Sequence, residues 1–362
     1  MHWRRASVCL LTEIPVNPSP ADRYRKQTLF APLGVEGQAL LRAGRALVVG
    51  CGALGSVIAE SLVRAGVGFV RIVDRDYVEL SNLQRQVLYD EQDVADQLPK
   101  AEAAAKKLRR INSEVVVDPV VADLSSQNIR ELTREIAVIV DGTDNFETRF
   151  LINDLSFDRG IPWVHGGCVG CHGQTMTFIP GQTVCFRCLM GGVPEPGSGE
   201  TCDTAGVLGP AVNVIASLQA LDAIKLLSGR GETIEPVMTV LDLWEGTFRR
   251  LKVGASRDEG RCAGCLTGER PWLSGAQAAR SAVLCGRNAV QVTPASPMLL
   301  SLAELESRFA GSGAVTRNPF LITLVTTDGE FQLTVFADGR AIVQGTEDPG
   351  QARSVYARYV GM

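Results

Sequence analysis

Short apolar runs and longer amphipathic stretches take turns along the first two thirds of this chain. The runs ALVV from Ala46, FVRIVD ending at Asp74, EVVVDPVVADL ending at Leu124 and IAVIV ending at Val140 are rich in β-branched residues. They read as strands buried on both faces. Between them, Ser56–Ala65, Lys100–Ile111 and Phe146–Arg159 have helical spacing, and Tyr24–Leu41 reads as helical material ahead of the first strand. Strands alternating with helices predict an α/β fold, a doubly wound, Rossmann-like and mostly parallel sheet. The pattern then shifts to strands WVHGGCVG and QTMTFIP, a glycine- and proline-rich crossover over Gly191–Gly199, an apolar helix Pro210–Leu227, and two strands meeting near Glu245 and Gly246.

From Trp272 to Met362 the pattern is that of a small α+β module: strand AVQV, helix LSLAELESRF, strands FLITLVTT, FQLTVFA and AIVQG parted by DGE and DGR turns, and a closing helix. The expected division is a disordered leader over 1–22, a nucleotide-binding domain over 23–268 and this accessory module over 272–362. Prolines at 15, 18 and 20 discourage a helix in the leader.

Composition narrows the class. A chain of 362 residues, 45% hydrophobic, suffices for two cores, and a net charge of −4 gives no electrostatic reason for nucleic-acid binding. No cleavable leader or membrane span is expected, so the protein is read as cytoplasmic. Ten cysteines in a chain of this size do not need to be disulfide staples. Cys185 and Cys188 in CFRC, with Cys262 and Cys265 in CAGC, can instead complete a closed tetrahedral Zn2+ shell, a structural site.

The chemistry starts at GCGALG. Gly50, Gly52 and Gly55 let the backbone approach a nucleotide and let the helix pack on its strand, and Asp74 stands where an acid can hold ribose hydroxyls. That signal alone is shared with dehydrogenases, but Arg85 and Lys100 follow it, and a triphosphate needs such cations more than a dinucleotide does. Asp141 and Asp144 in DGTDN lie just past a strand, at the carboxyl edge where ligands bind. Cys202 precedes a helix, a position that lowers a thiol pKa. Cys168, Cys171 and His172 spell CVGCH, formally a haem-attachment motif, but between two strands and without an export signal the match reads as accidental; His165 and Cys51 read as packing residues.

In this order, GCGALG, VDRD, SNLQRQ, LPK, DGTDN, the two CxxC pairs and CDTAGVLGP resemble the ThiF/MoeB/HesA family of adenylyltransferases, relatives of the ubiquitin-activating enzymes, over roughly Arg23 to Gly268. The resemblance implies ATP and Mg2+ as reactants at one site, with Asp144 as the magnesium and ATP aspartate, Arg85 and Lys100 on the phosphates, and Asn82 beside them. Asp141 is then expected to shape the loop. Lys26, next to Arg25, stands where the family carries an arginine that reaches the partner subunit's ATP, which implies a homodimer. Lysine keeps the charge but not the planar fork. Cys202 matches an acceptor cysteine that the family uses variably.

The activity so implied is adenylylation of the C-terminal glycine carboxylate of a ubiquitin-like sulfur carrier such as ThiS or MoaD, in thiamine or molybdopterin biosynthesis, with a separate sulfur donor. Activation of a tRNA-borne carboxylate and a non-catalytic carrier-binding scaffold are the alternatives. The C-terminal module has no phosphate or metal motif, so it is expected either to recruit the carrier or sulfur donor or to cover an apolar surface. It ends Gly361-Met362 rather than Gly-Gly, which argues against a fused carrier, and Cys285 lies too near its start for a rhodanese loop.

Overall fold

The computed structural model describes residues 23–192, 205–253, 262–265, 267–277, 281–284, 288–294 and 298–361. The expected leader, most of the Gly191–Gly199 crossover, Cys202 and Cys285 lie outside the described residues.

Eight strands form the first sheet: β1 Arg45–Val49, β2 Phe69–Asp74, β3 Val116–Val121, β4 Val138–Asp141, β5 Trp163–Val169, β6 His172–Phe178, β7 Val237–Asp242 and β8 Thr247–Lys252. Their order is β3-β2-β1-β4-β5-β6-β7-β8. Pairing is parallel from β3 through β5 and antiparallel from there to β8. The long helices here are α1 Gly34–Ala43, α2 Ala53–Ala65, α3 Lys100–Ile111, α4 Phe146–Arg159 and α5 Gly209–Leu227. Apolar residues of α2, α3 and α5 form one core layer with the sheet, while Phe150, Leu151 and Leu155 of α4 join Trp163, Phe178 and Phe186 in a second. Helix α2 begins three residues earlier than its apolar spacing implied, because the glycine turn itself supplies its first turn.

By length and composition α5 is a helix apolar enough to cross a membrane, an outcome the sequence reading did not anticipate. It packs against β4, β5, β6 and α2. Mid-helix Gln219 is fully buried and donates to the Asp141 carbonyl at 2.7 Å, a core contact within the domain.

The second sheet is formed by β9 Ser281–Leu284, β10 Ala289–Val292, β11 Gly313–Arg317, β12 Leu321–Thr326, β13 Gln332–Phe336 and β14 Ala341–Gln344, in the order β11-β12-β13-β14-β10-β9 with every pairing antiparallel. Helices α6 Leu302–Phe309 and α7 Pro349–Tyr359 close its main core around Phe309, Leu324, Val335 and Val343. A smaller cluster joins Leu321, Phe336, Ala289 and Ile342 to Tyr77 of the first domain. Edge strand β11 carried no apolar run to announce it, since three of its five residues are exposed.

Candidate nucleotide site and cysteine cluster

Three glycines make the carboxyl edge of the first sheet passable. Gly50 has φ +79°, a Cβ on Gly55 would lie 1.8 Å from the Gly50 carbonyl oxygen, and one on Gly142 would lie 2.5 Å from it. Any side chain at Gly55 or Gly142 would therefore force apart the β1 turn, the start of α2 and the loop after β4. The buried Asp74 carboxylate fixes this turn from the next strand: Oδ2 accepts the Cys51 amide at 2.6 Å and Oδ1 the Asp76 amide at 2.7 Å. Burial pushes the Asp74 pKa up. A carboxylate has about four acceptor positions, so capacity remains for hydroxyl donors.

Lys100 opens α3 with its side chain only 4% exposed, its Nζ 3.1 Å from Asp76 Oδ2. Arg75 lies between the two acids of VDRD and meets both oxygens of Asp123, at 3.2 and 3.4 Å. Burial opposes its charge, but Asp123, Asp76 and Asp144 together hold the guanidinium above its ordinary pKa. Asp144, exposed on the DGTDN loop, is thus within electrostatic reach of Arg75. The SNLQRQ segment closes the other side. Asn82 is buried and accepts the Glu79 amide at 3.1 Å, Arg85 donates to the Ser81 carbonyl at 2.9 Å, and Gln86 Nε2 would sit 3.7 Å from a Cβ on Gly52.

Asp141 holds the loop from beneath, as expected. Its oxygens take the Thr143 amide and hydroxyl at 2.9 and 2.6 Å, Arg149 Nε at 3.1 Å and His165 Nδ1 at 2.9 Å. Arg149 also donates to the carbonyls of Thr143 and Gly166. Burial would raise the Asp141 pKa, but Arg149, His165 and Thr143 outweigh it and the net shift is downward. His165, read as a packing residue, is part of this buried polar hub.

Lys26 is exposed on a short helical turn, Arg25–Thr28. Its neighbours pin that turn to the C-terminal end of α2: Gln27 Nε2 donates to the Ala65 carbonyl at 2.8 Å, and buried Tyr24 covers Gly66. The glycine turn lies at the opposite end of α2, ~20 Å away along a helix of that length.

The sulfurs of Cys185, Cys188, Cys262 and Cys265 all lie within 4.8 Å of one another, with neighbouring pairs at 3.5 to 3.6 Å. A tetrahedral ion with Zn–S bonds of ~2.3 Å places sulfurs ~3.8 Å apart, so the donor set and spacing can hold zinc with no open position. Burial raises the Cys185 pKa and pushes Cys265 up to about 11. For Cys262 burial is outweighed by the Cys265 amide and the neighbouring thiols, which bring it down to about 7. CVGCH forms a tight β5–β6 hairpin, with Val169 paired to His172 and Cys168 to Gly173.

A model of the ThiF family matches residues 24–266. The chain belongs to the ThiF family. Among ThiF-like relatives, the sulfur carrier protein ThiS adenylyltransferase of Bacillus subtilis is 46% identical over 340 residues, covering 94% of this chain and 99% of its own. The SAMP-activating enzyme E1 of Haloferax volcanii is 39% identical over 68% of this chain and 90% of its own. The solved structure of Escherichia coli MccB with ATP has a TM-score of 0.57 at 24% identity, covering 69% of this chain and 75% of its own, and shows a shared fold. Within this ThiF domain, sequence reasoning missed Asp76, Arg75 and Asp123 as the groups around Lys100. The alternating acids of VDRD were the available signal, since residues two apart in an extended chain share a face, which sets Asp74 and Asp76 on one side and Arg75 on the other.

Proposed function

We propose that this protein is a nucleotidyltransferase that uses ATP to adenylylate the C-terminal glycine carboxylate of a ubiquitin-like sulfur carrier, and that a separate donor then delivers sulfur to the activated carrier. The observation that supports this reading is the glycine turn tied by the buried Asp74 carboxylate, with the Asp76–Lys100 pair on the next segment and Asp144 within electrostatic reach of Arg75. The near full-length match to a ThiS adenylyltransferase favours a ThiS-like carrier and thiamine biosynthesis over molybdopterin.

In this reading the turn at Gly50, Gly52 and Gly55 passes the nucleotide, Asp74 accepts from the ribose and Asn82 keeps the SNLQRQ segment in place. Arg85 and Lys100 stabilise charge that builds on the departing pyrophosphate. Asp144, an exposed carboxylate beside the site, is the residue that would hold Mg2+, which supplies neutralisation of the phosphates when bound. The carrier carboxylate attacks the α-phosphorus, and the protein's main contribution is to hold the reactants in line. Cys202 is assigned as acceptor of the activated carrier. The far end of α2, where Lys26 is exposed beside Leu29 (68% exposed) and Phe30 (63%), supports a homodimer in which Lys26 serves the partner's site. We further propose a cytoplasmic enzyme with its catalytic domain over 23–268.

ATP–pyrophosphate exchange with purified ThiS-like and MoaD-like carriers tests this. Exchange dependent on a carrier and lost in Asp144→Ala is expected; exchange with neither carrier would refute the activity.

A further inference from the structure

The C-terminal module touches the first domain at the two segments that present Lys100 and its acid. On the strand side, Arg340 is buried over the Phe336 ring, with Nη1 3.5 Å from the Arg75 carbonyl oxygen. Gln291 Nε2 donates at 2.8 Å to Asp123 Oδ2, the oxygen that also meets Arg75. Tyr77 is packed among Leu321, Phe336 and Ile342, and Gln344 Nε2 is 3.3 Å from its hydroxyl. On the helix side, Asn318 Nδ2 donates to the carbonyls of Gln97 at 2.9 Å and Asp96 at 3.2 Å. Gln97 has φ +48°, a conformation unusual for a residue with a side chain, three residues ahead of Lys100.

These two segments are tied to each other across the site. Lys100 N donates to the Asp76 carbonyl at 2.8 Å, Val78 N to that of Leu98 at 2.9 Å, and Tyr77 bridges to Pro99. The module therefore grips both sides of the ladder from which the Lys100 ammonium and Asp76 carboxylate project. A shift of one segment by an ångström would move the ammonium off a phosphate and leave strands β7 and β8, at the opposite edge of the first sheet, undisturbed.

We propose that the module is a positioning platform for the nucleotide site: Arg340, Gln291 and Asn318 fix the 75–77 and 96–97 segments, and thereby the Asp76–Lys100 pair, in the geometry that binds ATP. None of the three need touch the nucleotide. The inference rests on the ATP-site reading above and adds that the module governs ATP rather than carrier affinity.

The test uses the full chain carrying Arg340→Met, Gln291→Leu or Asn318→Asp, the last keeping the oxygen that accepts the Phe320 and Leu321 amides. In carrier-dependent pyrophosphate exchange, each should raise the KM for ATP by about tenfold and leave the KM for carrier within about twofold, since lost ground-state binding appears in the constant of the affected reactant. Saturating MgATP should raise the thermal midpoint of each variant less than that of the parent. An unchanged ATP KM in folded Asn318→Asp and Gln291→Leu overturns the proposal, as does a rise confined to the carrier KM. If Arg340→Met fails to fold, those two variants still decide. The two readings fail separately: Asp144→Ala retaining exchange sinks the ATP site itself, whereas loss of exchange in Asp144→Ala with normal ATP KM in the module variants sinks only the platform.

Discussion

Lys100 and Asp76 are joined twice, by the side-chain pair at 3.1 Å and by the Lys100 amide donating to the Asp76 carbonyl at 2.8 Å. The double link holds a nearly buried cation at the proposed nucleotide site, and the two ends should respond differently to mutation. Asp76→Ala leaves the ammonium without its carboxylate and should destabilise the fold by about 3 kcal/mol or more. Lys100→Met removes the charge itself, keeps the stem, and should fold, while pyrophosphate exchange falls on the order of 10²–10³-fold. Thermal midpoints and exchange rates of the two variants check this; equal stability with Asp76→Ala and the parent would show that the pair carries no buried charge.

Much of this organisation was legible because it rests on local patterns. The strand FVRIVD, the helix Lys100–Ile111 and the helix Phe146–Arg159 have the same limits in sequence and structure, since each is bounded by a turn or cap that overrides propensity. The Gly50, Gly52 and Gly55 turn was legible for the same reason. What was not legible depends on residues far apart in the chain. Asp123 and Gln291 approach to 2.8 Å across 168 positions, and no periodicity encodes that. Asp141 could be placed at the sheet edge, but not its ring of Arg149, His165 and Gln219, each from a different element. Strand β11 lay hidden because an edge strand needs no apolar run, and β9, four residues long, is too short for a periodicity to show.

The four-cysteine cluster gives a second prediction. One zinc per chain should copurify, and Cys262→Ser should lower the unfolding midpoint far more than it lowers exchange per folded molecule, because metal-binding free energy becomes folding free energy. Elemental analysis of folded, active protein checks the stoichiometry. Active protein free of metal would remove zinc from the account.

The position of Lys26 gives a third. Since it is held about 20 Å along α2 from its own glycine turn, Lys26→Ala and Asp144→Ala chains should each be inactive alone. Mixed and allowed to exchange, they should recover about a quarter of parent activity, the statistical share for one intact site in half of the dimers. Recovery checked by exchange assay on heterodimers carrying two different tags would locate Lys26 in trans. No recovery in a verified heterodimer would place Lys26 within its own subunit's site.

His165 gives a pH prediction whose sign follows from burial. The ring is 1% exposed and burial lowers its pKa below the ordinary 6.5; the Asp141 hydrogen bond opposes this and the Arg149 charge adds to it. The neutral ring therefore donates Nδ1–H to Asp141. Above pH 6.5 neither the folded nor the unfolded chain binds this proton, and the full contribution to stability is present. As pH falls through 6.5 the unfolded chain takes the proton and the folded chain refuses it, so stability drops by about 1.4 kcal/mol per pH unit until the folded pKa is reached. Asp141 acts in a separate window: its lowered pKa contributes stability above 3.8 that is lost as pH falls through the folded value. His165→Gln should accordingly be less stable than the parent at pH 7.5, having lost the ring from the core, yet lose less stability between pH 7.5 and 5.5. Denaturant unfolding of both proteins at the two pH values, at equal zinc content, measures the difference. Parallel losses in parent and variant would assign the acid sensitivity to another group and leave His165 as a packing residue alone.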